Sequence, residues 1–183
     1  MQNKTKLTIK ELLIVYGAGL IMTILSIIYF SIQGYPLVNT ATEVLTLYAP
    51  PIYMIPIFFP YGLLLGEIIW LWYQKTNYKI LLLYSIEVLI IGIVSFVRYE
   101  IAIPFSGHAI VIFYYLGHQM FNNRNKYKLR IIIGILVLVI TFIFKFFIWN
   151  DYITFILGGL LGCLIWFLGF LIQRVILRNS EQS

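Results

Sequence analysis

Apolar runs long enough to cross a lipid bilayer recur along this sequence, and they constrain its fold more than any other feature. A stretch of about 18 or more residues with few charges reads as a membrane span. The pattern predicts about six spans: Leu12–Ile32, Tyr53–Tyr73, Ile80–Val97, Phe105–Phe121, Leu129–Trp149 and Tyr152–Gln173. Lipid offers backbone N–H and C=O groups no partner, so a spanning segment is either a helix or part of a closed barrel. The strand-length alternation of a barrel is absent. The expected fold is therefore all-α, a polytopic membrane helix bundle. It forms a single integral membrane domain over residues 1–183, with no internal repeat or soluble linker.

Composition excludes the main alternative. Only 11% of residues are charged and 61% are hydrophobic, whereas a soluble domain carries roughly 25% charged residues. So few charges cannot cover a water-facing surface. The net charge of +6 does not point to nucleic acid, because the basic residues form no single arm or face. They lie in short loops between apolar runs, where they set orientation. Of the 13 Lys and Arg residues, only Arg98 and Lys145 fall on the outer side when the amino terminus is placed inside. Lys4, Lys6, Lys10, Lys75, Lys79, Arg124, Lys126, Lys128, Arg130, Arg174 and Arg178 all fall on the inner side. The expectation is a multi-pass cell-membrane protein with both termini in the cytoplasm.

The first run follows Lys4, Lys6 and Lys10, as in a signal sequence. It is longer than a typical signal core and no small-residue cleavage pattern follows, so it reads as an uncleaved span. The connection from Gln33 to Pro51 has no basic residue, and part of it suits a helix lying on the membrane surface. Pro50, Pro51, Pro56 and Pro60 predict an irregular start to the second span; first-turn prolines are tolerated because those amides have no helical partner. Cys163 is the single cysteine, so it forms no internal disulfide and builds no metal site.

Ionisable side chains in or beside spans are costly and mark functional sites by default. Two groups emerge. The outer group comprises Arg98, Ser106, Gly107, His108, Lys145 and Asp151, on a face otherwise nearly bare of charge. Ser106-Gly107-His108 opens a predicted helix, where free N–H groups and the dipole favour anions. Ser106 can cap the helix or donate to a phosphate oxygen. Gly107 permits close backbone approach, and His108 can carry a proton near neutral pH. Arg98 and Lys145 add positive charge, with Arg able to grip phosphate bidentately. The bland reading is a capped helix with His108 at the headgroups and Arg98 paired to Glu100. The inner group is Glu67, Glu87 and His118. It suits a proton path, an inner site, or interhelical hydrogen bonds that hold the bundle.

Pro104-Phe105-Ser106-Gly107-His108 resembles the P-S-G-H motif of the type 2 phosphatidic acid phosphatase superfamily, with one residue inserted. Those six-span enzymes remove phosphate from membrane lipid phosphates without a metal or cofactor. The resemblance implies that Ser106 binds phosphate and His108 protonates the leaving group. It implies phosphate binding at Arg98, although the family's preceding Lys and following Pro are Ile91 and Tyr99 here. Lys145 stands where the third motif has Arg, and Gly158-Gly159-Leu160-Leu161-Gly162 matches the small-residue stretch that trails it. The nucleophilic His of that motif has no counterpart. Its place falls on Asp151 counted from Lys145, or on Asn150 counted back from the glycines, with Thr154 at the family's Asp position. Asp151 then serves as nucleophile or as base for water. The expected partners are membrane lipids, a polyprenyl or glycerolipid phosphate or pyrophosphate. The alternatives are a non-catalytic relative that binds a headgroup or partner, and a small transporter or transporter subunit using Glu67 and Glu87.

Overall fold

A computed structural model describes residues 9–33, 54–100, 104–122, 128–143, 145–146 and 152–181. All regular structure among them is helical: α1 (Ile9–Gln33), α2 (Met54–Tyr73), α3 (Tyr78–Glu100), α4 (Gly107–Gly117), α5 (Lys128–Ile143) and α6 (Tyr152–Glu181). A π turn, His118–Asn122, extends α4. The connection after Gln33 through Pro51, Arg124, Lys126, Asn150 and Asp151 lie outside the described residues, as do Lys4 and Lys6.

Three helices are long and apolar enough to cross a membrane: Ile9–Tyr29 of α1, Tyr78–Ser95 of α3 and Tyr152–Ile176 of α6. Phe58–Tyr73 of α2 is a shorter apolar helix. Their outward faces carry exposed Leu20, Ile24, Leu89, Ile93, Leu160 and Leu164. A soluble monomer rarely exposes so continuous an apolar surface, whereas lipid would cover it without penalty. Inside the helices, hydroxyls bond back to carbonyls one turn earlier: Thr23 to Gly19, Ser26 to Met22, Ser85 to Leu81 and Thr141 to Val137. That pattern satisfies a polar group where no water is available.

The helix ends follow from local chemistry. α2 closes in a Schellman turn, with Thr76 N–H donating to Leu71 C=O at 3.1 Å and Lys75 N–H to Trp72 C=O at 3.0 Å. Lys75 sits at the left-handed position of that turn, φ 52°, where glycine is the usual residue. Asn77 then starts α3, its side-chain oxygen accepting from Lys79 N–H at 3.0 Å. The second span does not break at its prolines. α2 runs through Pro60, its seventh residue, so the missing N–H costs one helical bond in the second turn.

Helix directions alternate. Gly62 meets Gly19 while Gly66 meets Val15, so α1 and α2 run antiparallel. Gly158 meets Ser106 and Gly162 meets Ile110, so α4 and α6 run parallel. Gly107 meets Ser95 while Tyr114 meets Glu87, so α3 runs antiparallel to α4. Phe142 meets Phe155 while Phe146 meets Tyr152, so α5 runs antiparallel to α6 and hence to α4. α4 occupies the centre and touches α2, α3, α5 and α6. Most of its residues from Gly107 to Leu116 are buried, which is why it is apolar on every side. The main core cluster gathers Val15, Leu63, Leu64, Ile91, Ile110 and Tyr114 around it.

Candidate functional site

The alternating directions put the start of α4, the end of α3, the end of α5 and the start of α6 at one end of the bundle. Ser106 is fully buried there. It is the N-cap of α4, in extended conformation at φ −82° and ψ 113°, and its hydroxyl accepts from Ala109 N–H at 3.4 Å. Its own N–H donates to the Thr154 carbonyl at 2.8 Å. A Cβ on Gly158 would stand 2.9 Å from Ser106 N, so that glycine lets α6 lie directly on the start of α4. Gly107 is also buried, with Tyr61 Oη and Ser95 Oγ where a Cβ would be, at 2.7 and 3.0 Å. The His108 ring is buried and meets Tyr61 edge-on, centroids 6.2 Å apart.

Lys145 is 7% exposed at the end of α5. Around it, Phe142 and Phe146 contact Phe155 and Tyr152 of α6. Arg98 belongs to the last turn of α3, but its side chain lies outside the described residues, as does all of Asp151. The structure therefore gathers Ser106, Gly107, His108 and Thr154 closely and sets Lys145 at the same end.

The opposite end, where α1, α3 and α5 begin, holds a buried polar network. Arg130 of α5 is 1% exposed. Its sequence position places it among the inner-side cations, and in the fold it is buried in ion pairs with Glu11 of α1 and Glu67 of α2. Gln119 of the π turn donates to the same Glu67 oxygen at 2.8 Å. The cause is charge pairing: a guanidinium at the membrane end is held far better by two carboxylates than by apolar neighbours. Glu87 has a different partner, the Tyr114 hydroxyl, which donates to its Oε2. His118 packs against Tyr84, centroids 4.8 Å apart, and stacks on Tyr114 at 6.4 Å. Glu67 and Glu87 thus anchor separate clusters, with Tyr84 and His118 between them.

Glu11, Arg130, Gln119, Tyr84 and Tyr114 were not singled out by sequence. One signal was available: Glu11 is an acidic residue among inner-side lysines at the start of an apolar run. Among the described residues no cluster of His, Cys, Asp or Glu could hold a metal ion. Cys163 is exposed on the outside of α6. No protein-family model, curated protein or solved structure matches the chain.

Proposed function

We propose that the chain crosses the cell membrane six times with both termini in the cytoplasm. We further propose that the Ser106–Lys145 end of the bundle is an extracytoplasmic site that binds and hydrolyses a lipid phosphate or pyrophosphate. One observation carries this reading. The Ser106 N–H bond to Thr154, with Gly158 seated beneath, joins the two segments on which the resemblance to lipid-phosphate phosphatases rests.

In this reading Arg98, Lys145 and the amides at the start of α4 hold the phosphoryl oxygens, and cationic and N–H donors there stabilise the charge of phosphoryl transfer. His108 gives its proton to the leaving oxygen as the P–O bond breaks. Asp151 either attacks phosphorus, forming an aspartyl phosphate that water then hydrolyses, or takes the proton of an attacking water. A second reading, a headgroup-binding relative without catalysis, is favoured by the missing nucleophilic His, whose place falls on Asp151 or Asn150.

The test is inorganic phosphate released by the purified protein from polyprenyl pyrophosphates and glycerolipid phosphates. His108→Ala is expected to lower release by about 10²–10⁴-fold, the usual worth of a general acid, and Asp151→Asn comparably. No release from any substrate, or equal release by both variants and the parent, removes the catalytic reading. Retained lipid-phosphate binding without release selects the second.

A further inference from the structure

A crevice opens between α3 and α6 at the end of the bundle away from Ser106. It is lined by Tyr84, Glu87, His118, Trp166, Gly169 and Phe170, among others. Its inner space is the size of a water molecule, and its mouth is partly open. Gly169 faces the Glu87 carboxyl so closely that a Cβ there would collide with Oε1. The glycine therefore leaves room for the carboxyl to reach the crevice. Tyr114 bonds Oε2, which leaves Oε1 on the side of Gly169.

Two other buried polar atoms belong to residues that line the same crevice. The Tyr84 hydroxyl and His118 Nδ1 are buried and have no hydrogen-bond partner among the described residues. Tyr84 itself is only 3% exposed. Buried polar atoms are nearly always satisfied, so each such orphan calls for an explanation. A buried water typically makes about three hydrogen bonds. Glu87 Oε1, the Tyr84 hydroxyl and His118 Nδ1 are three partners of mixed donor and acceptor character. They are too few for a hard metal cation, which takes about six oxygen ligands. His118 also begins the π turn, and such turns are frequent at functional sites.

We infer that this crevice is a proton-exchange site, in which a water held by Tyr84 and His118 delivers a proton to, and removes it from, Glu87. The groups facing Glu87 fit that role. Tyr114 and His118 face it from α4 and the π turn, and Tyr84 from its own helix. Glu67 of α2 and Arg130 of α5 act electrostatically on Tyr84, and Arg130 also on His118. Arg174 of α6 sits over the Phe170 ring, 4.4 Å from its centroid. Glu67 and Glu11 are engaged by Arg130. The site is independent of the phosphate chemistry proposed for the other end.

A hydrophobic carbodiimide tests this directly. A protonated carboxyl gives its proton to a carbodiimide nitrogen while its other oxygen adds to the central carbon, and the adduct rearranges to a stable acylurea. The full chain in lipid nanodiscs, treated with dicyclohexylcarbodiimide and digested for mass spectrometry, is expected to carry the adduct at Glu87. Labelling there should exceed that at Glu67 and Glu11 several-fold and should rise on acidification. Tyr84→Phe with His118→Leu should lower it several-fold while the melting temperature confirms folding. Absence of the Glu87 adduct at every pH, equal labelling of Glu67, or labelling indifferent to pH or to the double substitution overturns the inference. Protection by sodium or potassium ions also overturns it, in favour of a metal-cation site.

Discussion

Among the described residues, Arg130 is buried and forms ion pairs to helices far apart in sequence. Removing one partner of a buried ion pair costs about 3–5 kcal/mol, because the remaining charge keeps its desolvation penalty without its attraction. Arg130→Met is therefore expected to lower the detergent melting temperature sharply, because it strands two carboxyls. The triple change Arg130→Met, Glu11→Gln, Glu67→Gln should lose much less, since apolar or neutral replacement of a whole buried ion cluster is often close to neutral. A triple variant no more stable than Arg130→Met would show that the cluster does not act as a unit. This residue also marks where sequence reading ended. A cation two residues from Lys128, beside a polar stretch, has the pattern of a solvated loop charge. Its burial depends on Glu11, 119 positions away, and no local periodicity encodes that distance. Glu67 and Glu87 were legible as costly intramembrane carboxyls; their partners Arg130, Gln119 and Tyr114 were not.

Helix crossings are set by small residues rather than by bulk. Gly62-Leu63-Leu64-Leu65-Gly66 and Gly158-Gly159-Leu160-Leu161-Gly162 both have the glycine spacing that lets membrane helices approach backbone to backbone. A Cβ at Gly62 would lie 2.7 Å from the Ala18 carbonyl oxygen, and one at Gly158 2.9 Å from Ser106 N. Backbone cannot swing aside as a flexible side chain can. Gly62→Ala and Gly158→Ala are therefore expected to destabilise by about 1–3 kcal/mol, the usual cost of overpacking. Gly17→Ala meets nothing within 4 Å and should be neutral or stabilising by up to about 1 kcal/mol, from helix propensity alone. Thermal unfolding of the three variants checks the contrast in sign, and a uniform response would overturn it. At this scale the sequence was largely legible. Apolar periods located the helices, and Ser106 was readable as a cap. The second glycine run was read through its likeness to a phosphatase motif, and its structural role, the crossing of α6 on α4, needed the three-dimensional contact to appear.

For the whole molecule, the charge distribution and the helix directions make one argument. With Arg130 drawn into the bundle, the end where α1, α3 and α5 begin still carries Lys10, Lys75, Lys79, Lys128, Arg174 and Arg178 among the described residues. Lys145, at the other end, is buried. Alternating directions then assign the α2–α3 turn and the Pro104–Ser106 approach to opposite faces. α1, α3 and α6 have the length to cross by themselves, whereas α4 and α5 are shorter and α4 is sheathed by protein. A helix so enclosed has no need to match the lipid thickness, which accounts for its modest length. The proposed orientation can be read without knowing the function. In a Cys163→Ser background, Gln74→Cys and Pro104→Cys place a thiol at two exposed positions, one on each side. A membrane-impermeant maleimide applied to intact cells should label Pro104→Cys and spare Gln74→Cys until the membrane is opened. The reverse pattern would put the Ser106 end in the cytoplasm, where a phosphate site would face soluble phosphates as well as lipids. Positive charge on the cytoplasmic side of short loops is the physical reason to expect the first outcome.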